Sequence, residues 1–310
     1  MNINGKLVKY TKKEKYLGHY ITDDNSLNGA ILCDLAEREA HVIVKYRNFV
    51  NNNKSAPIEK RLKVFQSCFC SVILSNCETW GHCFPKKLLS LYNRGLKIAL
   101  EVRVGTPTAL VFLETRQPAV LAMVRKRQLT FWQNLQKENG RELYYLISRA
   151  RKTKYIKHYV ELEEMYESPD DAFKRTNEAF YRDIVDTIKN CRLEQTKLHT
   201  YNEIYELNDE IPATSVTLST KNEYRRKLLT RYVVSSHNLA CETSKWTGTS
   251  RSCKKCDQDS DETLKHIICE CNAYTAIRES YPRFPPDVKS FFAWEFCGEA
   301  LEKLHMERGN

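Results

Sequence analysis

The stretch PIEKRLKVFQSCFCSVILSNCETWGHCFPKKLLSLYNRGLKIAL, Pro57 to Leu100, decides the fold. Pro57 suits a first helical turn, because the N–H it lacks is one that a helix start leaves unpaired in any case. Ile58, Leu62, Phe65, Phe69, Val72 and Trp80 then fall on one face, which predicts a helix running from Pro57. Pro85 opens another, with Leu88, Tyr92, Leu96 and Ala99 in register. Upstream, Asp23-Asp24-Asn25-Ser26 offers capping side chains, and Leu27, Ile31, Leu35, Val42, Tyr46 and Phe49 keep helical spacing until Asn51-Asn52-Asn53 ends the run. Three amphipathic helices with short connections predict a small bundle.

On the N-terminal side, Lys6 to Tyr10 and Tyr16 to Ile21 read as two short strands around the basic turn Thr11-Lys12-Lys13-Glu14-Lys15. On the other side, Thr106-Pro107 and Gln117-Pro118 start two further helices. The second turns Val120, Leu121, Val124, Phe131 and Leu135 inward and Arg125-Lys126-Arg127 outward. The charged stretch from Gly140 to Asp171 reads as a solvated helical connector, and Ser168-Pro169-Asp170-Asp171 caps a helix carrying Phe173, Phe180, Ile184, Ile188 and Cys191. Periodicity lapses from Leu207 to Thr220, as in a linker, before a basic helix from Lys221 to Ser235.

The charge balance, 49 Lys and Arg against 39 Asp and Glu, makes the chain cationic by +10 and favours a polyanionic partner. A membrane span is not expected: apolar runs such as Ala109 to Leu113 fall far short of the roughly 20 residues a span needs. The 12 cysteines follow no secretory signal, so reduced thiols are expected. Cys33, Cys68, Cys70, Cys77 and Cys83, within apolar helical patterns, read as small buried residues.

One cysteine cluster is different. Cys253-x2-Cys256-x9-His266-x4-Cys271 places two thiols on a polar, basic turn and a His and a Cys on or just after a helix, a soft tetrahedral set suited to structural Zn²⁺. If Asp261 to Glu270 is one helix, its geometry alone favours Cys269, three residues after His266, as the fourth ligand, so Cys269 and Cys271 both stay open on spacing.

The segment Cys253 to Arg278, with Glu262-Thr263, His266, Glu270-Cys271 and Ala273-Tyr274 in order, resembles the C-terminal zinc knuckle of LINE-type (non-LTR) retrotransposon reverse transcriptases. Lys15-Tyr16-Leu17-Gly18 resembles that family's primer grip, and Cys77-Glu78-Thr79-Trp80-Gly81 its thumb-helix signature. Leu91 to Leu135, with Arg94, Thr106-Pro107, Pro118 and Phe131-Trp132, resembles its connecting helices. Two residues depart from the pattern: Cys77 stands where the family usually has Tyr, and Asn272 where Pro commonly follows the last ligand. The resemblance favours Cys271 over Cys269.

It also implies a nucleic-acid-binding C-terminal part of an RNA-directed DNA polymerase, in the nucleus and cytoplasm, with RNA and DNA (template–primer and target site) as partners. The catalytic palm would then lie upstream. Asp23-Asp24, after Tyr20-Ile21-Thr22, mimics the catalytic turn with one residue too many and reads as a helix cap, as does Asp170-Asp171. The alternative is a host-derived, non-enzymatic zinc adaptor that binds nucleic acid or protein.

The expected architecture is mainly α. A primer-grip-like hairpin (1–22), containing Tyr16, Leu17 and Gly18, leads into a thumb-like bundle (23–104) and a helical connector (105–206). A linker (207–220), a basic helix with the knuckle (221–285) and a C-terminal helix (286–310) complete it. Lys12, Lys13, Lys15, Arg125, Lys126, Arg127, Arg225, Arg226, Lys227, Arg231, Lys254 and Lys255, with Tyr16, Tyr224, Tyr232 and Trp246, suit a groove that tracks phosphates and stacks bases.

Overall fold

The computed structural model describes residues 2–309 except 4–5, 8–9, 17–18, 25, 192–195, 208–214 and, within 138–152, all but 142, 145 and 149. The chain is mainly helical and forms two compact units that interleave in sequence. One holds Met1–Phe49, Val64–Gly95 and Pro118–Ala179, the other Val50–Lys63, Leu96–Gln117 and Phe180–Asn310.

The first unit opens with a hairpin whose strands are β3 (Lys13–Tyr16) and β4 (His19–Thr22), after the short pair β1 (Asn2–Ile3) and β2 (Lys6–Leu7). The expected pairing of Lys6 to Tyr10 with Tyr16 to Ile21 therefore does not form, and Lys13 to Lys15 of the expected turn belong to a strand. Lys15 pairs across from Tyr20 and the Lys13 ammonium lies 5.1 Å from the Tyr20 ring centroid, cross-strand contacts that favour this register. Leu17 and Gly18, between the strands, lie outside the described residues. Asp34 on α1 (Leu27–Asn52) accepts the Tyr20 N–H at 3.1 Å and sits 2.8 Å from His19 Nδ1, which ties hairpin to helix. Ser26 Oγ caps that helix at Gly29 N (3.1 Å), while Asp24 accepts from Ser26 N (2.9 Å).

The run from Pro57 is α2 (Ile58–Val64), a π-turn (Phe65–Phe69) and α3 (Cys70–Ile73). Asn76 then adopts a left-handed conformation (φ 60°), which Asn tolerates better than most residues. The helix thus stops short of Trp80, which is buried beyond the 3-10 turn Cys77–Thr79. Phe65 and Phe69 stack at 5.1 Å, with Tyr46 and Tyr92 against them. Gly95 of α4 (Lys86–Leu100) faces this cluster, where a Cβ would meet Phe65 at 2.5 Å. Of the five cysteines expected inside, Cys70 and Cys77 are buried, Cys33 and Cys83 partly so, and Cys68 is exposed. Desolvation raises the Cys77 thiol to about 12.

α6 (Val120–Gln136) carries Leu129 and Trp132 against Ile156, Tyr159 and Leu162 of α7 (Lys154–Met165). The connector is therefore not simply solvated. Its described helix buries one face, and Tyr159 Oη donates to Glu78 O at 2.6 Å.

In the second unit, α5 (Thr108–Thr115) is apolar nearly all round, and Glu114 within it is fully buried. Its carboxylate accepts from Tyr201 Oη (2.9 Å), Tyr205 Oη (2.8 Å), Ser215 Oγ (2.8 Å) and Thr217 N (3.1 Å). These contacts draw α9 (Lys197–Tyr205) and the turn α10 (Val216–Ser219) onto α5; α8 (Pro169–Lys189) precedes them. The end of the expected linker is thus a helical turn that buries Thr217, and residues 208–214 lie outside the described residues. α11 (Glu223–Val233) is followed by α12 (Ala240–Thr247), α13 (Thr275–Glu279) and α14 (Val288–Ala293), and packs against the C-terminal helix α15 (Cys297–Gly309). Among the described residues no helix is long and apolar enough to cross a membrane.

Candidate metal centre

Gly248, left-handed at φ 66°, ends α12 (Ala240–Thr247) and releases the chain into the knuckle. Ser252 and Asp261 form an antiparallel bridge, reinforced by Cys253 N to Ser260 O and Glu262 N to Arg251 O, both 2.8 Å. This narrow loop presents Cys253 and Cys256. The expected helix from Asp261 begins only near Leu264, because Asp261 is spent in the bridge, and His266–Glu270 is a π-turn.

That turn decides which cysteine joins the cluster. Cys271 N donates to His266 O at 2.7 Å, an i to i+5 closure that brings Cys271 back beside His266. An α-helix would have favoured Cys269. The ligand atoms of Cys253, Cys256, His266 and Cys271 all lie within 4.8 Å of one another, and among the described residues this is the one cluster that could hold a metal; Cys269 is outside it.

The Sγ atoms of Cys253 and Cys271 are 3.9 Å apart, and Cys256 Sγ is 3.3 Å from His266 Nε2. Thiolates at ~2.3 Å and an imidazole at ~2.0 Å from one ion, tetrahedrally arranged, would put sulfur about 3.8 Å from sulfur and about 3.5 Å from nitrogen. Cys253, His266 and Cys271 are buried, and desolvation followed by the neighbouring thiols raises the Cys271 thiol. A divalent cation offsets that cost by holding the thiolate form. Among the described residues His266 Nδ1 has no hydrogen-bond partner, and Glu270 Oε2 lies 3.9 Å from it. Arg278 donates to Cys271 O at 2.7 Å and steadies the last ligand.

Many of the twelve expected cationic contacts are engaged by partners within their own unit. Arg226 is fully buried and paired with Glu223 (2.7 Å), Lys227 with Glu101 (2.6 Å), and Arg225 with Glu302 (2.8 Å); Arg231 donates to Glu101 O at 3.2 Å. Arg125 donates to Tyr166 Oη (2.8 Å) and Thr176 Oγ1 (3.0 Å), Lys126 pairs with Asp170 (2.6 Å), and Arg127 caps Leu74 O (2.9 Å). Lys15 pairs with Glu37 (2.7 Å) and Lys255 donates to Glu307 O (3.2 Å). Lys12, Lys13 and Lys254 are exposed. Tyr16, Tyr224 and Trp246 are also exposed, whereas Tyr232 is buried. Amphipathic patterning could not have shown this, because a cation on a helix reads the same whether it faces solvent or a buried carboxylate.

Asp170 is held by Lys126, and Asp171 accepts from Glu167 N (3.2 Å) across the helix start. Compared with known protein families, curated proteins and solved structures, the chain matches none.

Proposed function

We propose that this chain is a nucleic-acid-binding C-terminal portion of a LINE-type reverse transcriptase, in which Cys253, Cys256, His266 and Cys271 hold a structural Zn²⁺. The observation that carries the reading is the convergence of these four side chains within 4.8 Å, in the ligand order of the zinc knuckle the sequence resembles. All four positions are protein ligands, so the ion would order the loop and leave no open site for a reacting water. The net charge of +10, with exposed Lys12, Lys13 and Lys254 and exposed Tyr16 and Trp246, supports a nucleic-acid partner. Template–primer RNA and DNA are the ligands this reading names, with a palm upstream supplying polymerisation.

Fluorescence anisotropy with a labelled RNA oligonucleotide and an RNA–DNA template–primer, on the zinc-loaded chain, tests it. Expected are binding to both and no primer extension with Mg²⁺ or Mn²⁺. Absence of binding at low salt sinks the nucleic-acid reading and leaves a protein-binding zinc adaptor.

A further inference from the structure

Both arms of the knuckle end on the same piece of protein. On the Cys253–Cys256 turn, Lys255 Nζ donates to Glu307 O at 3.2 Å. On the returning arm, four residues before His266, the Glu262 carboxylate is 94% buried and takes a bidentate pair from Arg308, Nε at 2.7 Å and Nη2 at 2.9 Å. Glu307 and Arg308 form the last turn of α15. Glu262 Oε2 also accepts Ala240 N at 2.6 Å, the start of α12, and Arg308 Nη2 donates to Asn238 O at 2.8 Å, just before it. Between these ends, α15 packs against the π-turn that carries His266, and Ala300, Leu301 and Leu304 are buried.

We infer that Arg308 and Glu262 are positioning residues of the metal centre, and that metal loading and docking of the C-terminal helix are one cooperative step. This rests on the zinc reading above. A desolvated Arg–carboxylate fork has a fixed planar geometry, so it sets the height of the returning arm and therefore where His266 stands relative to Cys256. The loop 253–262 has few apolar anchors of its own, and a ligand set held on such a loop depends on outside supports to keep its spacing. Linkage then runs both ways: an ion that binds only the assembled site stabilises the docked helix, and the docked helix raises affinity for the ion.

The test uses the full chain. Zinc affinity is measured by competition with a chromophoric chelator, Co²⁺ absorption reports the ligand field, and hydrogen–deuterium exchange follows residues 297–309 with and without chelator. Arg308→Met should lower zinc affinity ten- to a hundred-fold, the range that loss of an outer support produces, and should perturb the Co²⁺ spectrum. Arg308→Lys should restore part of the loss. The double variant Glu262→Gln/Arg308→Met strands no buried charge, so it keeps the fold while retaining the affinity loss. Chelation should speed exchange in 297–309 and leave α6 unchanged. Zinc held equally well by Arg308→Met and by the double variant overturns the inference alone, as does a C-terminal helix whose exchange ignores chelation. An unmodified chain that binds no zinc overturns the metal reading and this inference with it.

Discussion

His237 is wholly buried, and desolvation first, then Lys197, Arg103, Arg308 and Lys245, lowers its pKa to about 3. Its Nδ1 accepts the Leu239 N–H at 3.3 Å, so the neutral ring is the form the fold uses. The folded value lies below the unfolded value of about 6.5, so the folded chain binds fewer protons between the two. Its stabilising contribution is full above pH 6.5 and drains as pH falls towards 3, amounting to about 2 kcal/mol lost by pH 5 at ~1.4 kcal/mol per unit. Urea melts from pH 5 to 7 should show that slope, and His237→Asn, which keeps an acceptor without the titration, should flatten it. An unchanged slope in the variant counts against His237 as its source. Glu114 offers a second residue-scale prediction. Burial, then the Glu114 charge, pushes Tyr201 and Tyr205 well above their ordinary values, so both stay donors to it. Glu114→Ala strands two phenols and the Thr217 N–H and leaves a cavity, at a cost of about 4 kcal/mol, or a fall in Tm on the order of 10 °C for the unit. Glu114→Gln, which keeps an acceptor, should cost clearly less.

At the scale of elements, helices were legible because their apolar positions recur on one face, and the bundle helices stand close to where Pro57, Pro85 and Pro118 put them. What stayed hidden was whatever periodicity does not encode. Neither π-turn has a signature in the pattern, yet one interrupts the helix that runs from Pro57 and the other brings Cys271, not Cys269, to the cluster; the left-handed Asn76 then ends the first of these helices before Trp80. The hairpin register depends on cross-strand pairs of Lys and Tyr, and the strand read around residues 6–10 pairs instead with Asn2–Ile3. The burial of Glu114 did leave a trace: Leu110 to Leu113 is apolar without a break, and a helix apolar all round is buried, carboxylate included. For the Cys/His cluster, the four candidate ligands were legible, whereas the contact between Glu262 and Arg308 was not, since 46 residues separate them. Cys269→Ser should retain one zinc per chain and Cys271→Ser should lose it, measured by metal analysis after gel filtration. The reverse result would place the fourth ligand on the π-turn itself. Chelation should unfold residues 250–280, because structural zinc contributes on the order of 10 kcal/mol that this small core cannot replace.

At the scale of the whole molecule, net charge and usable charge separate. Arg61, Arg226 and Lys227 are counted in the excess of cations but meet Glu101 and Glu223 inside the second unit. Lys227 and Arg61, working against desolvation, hold the Glu101 carboxyl below its ordinary value. Removing such cations would therefore report on folding: Arg226→Ala leaves Glu223 without its 2.7 Å partner in a part-buried site and should lower stability by about 3 kcal/mol. The exposed lysines behave in the opposite way. Lys12, Lys13 and Lys254 lie on the surface, so replacing all three by Ala should leave Tm within a degree or two of the parent. If each contacts one phosphate of a single strand, the slope of log affinity against log salt should fall by about 2, at ~0.7 per contact. Anisotropy titrations with a labelled RNA from 50 to 300 mM salt (roughly the range in which such slopes are linear), paired with thermal melts of both variants, separate the two kinds of cation. A salt slope that ignores the three lysines, with binding intact, would place the phosphate contacts on other side chains. A slope that falls while Tm holds would tie the nucleic-acid partner to these exposed lysines.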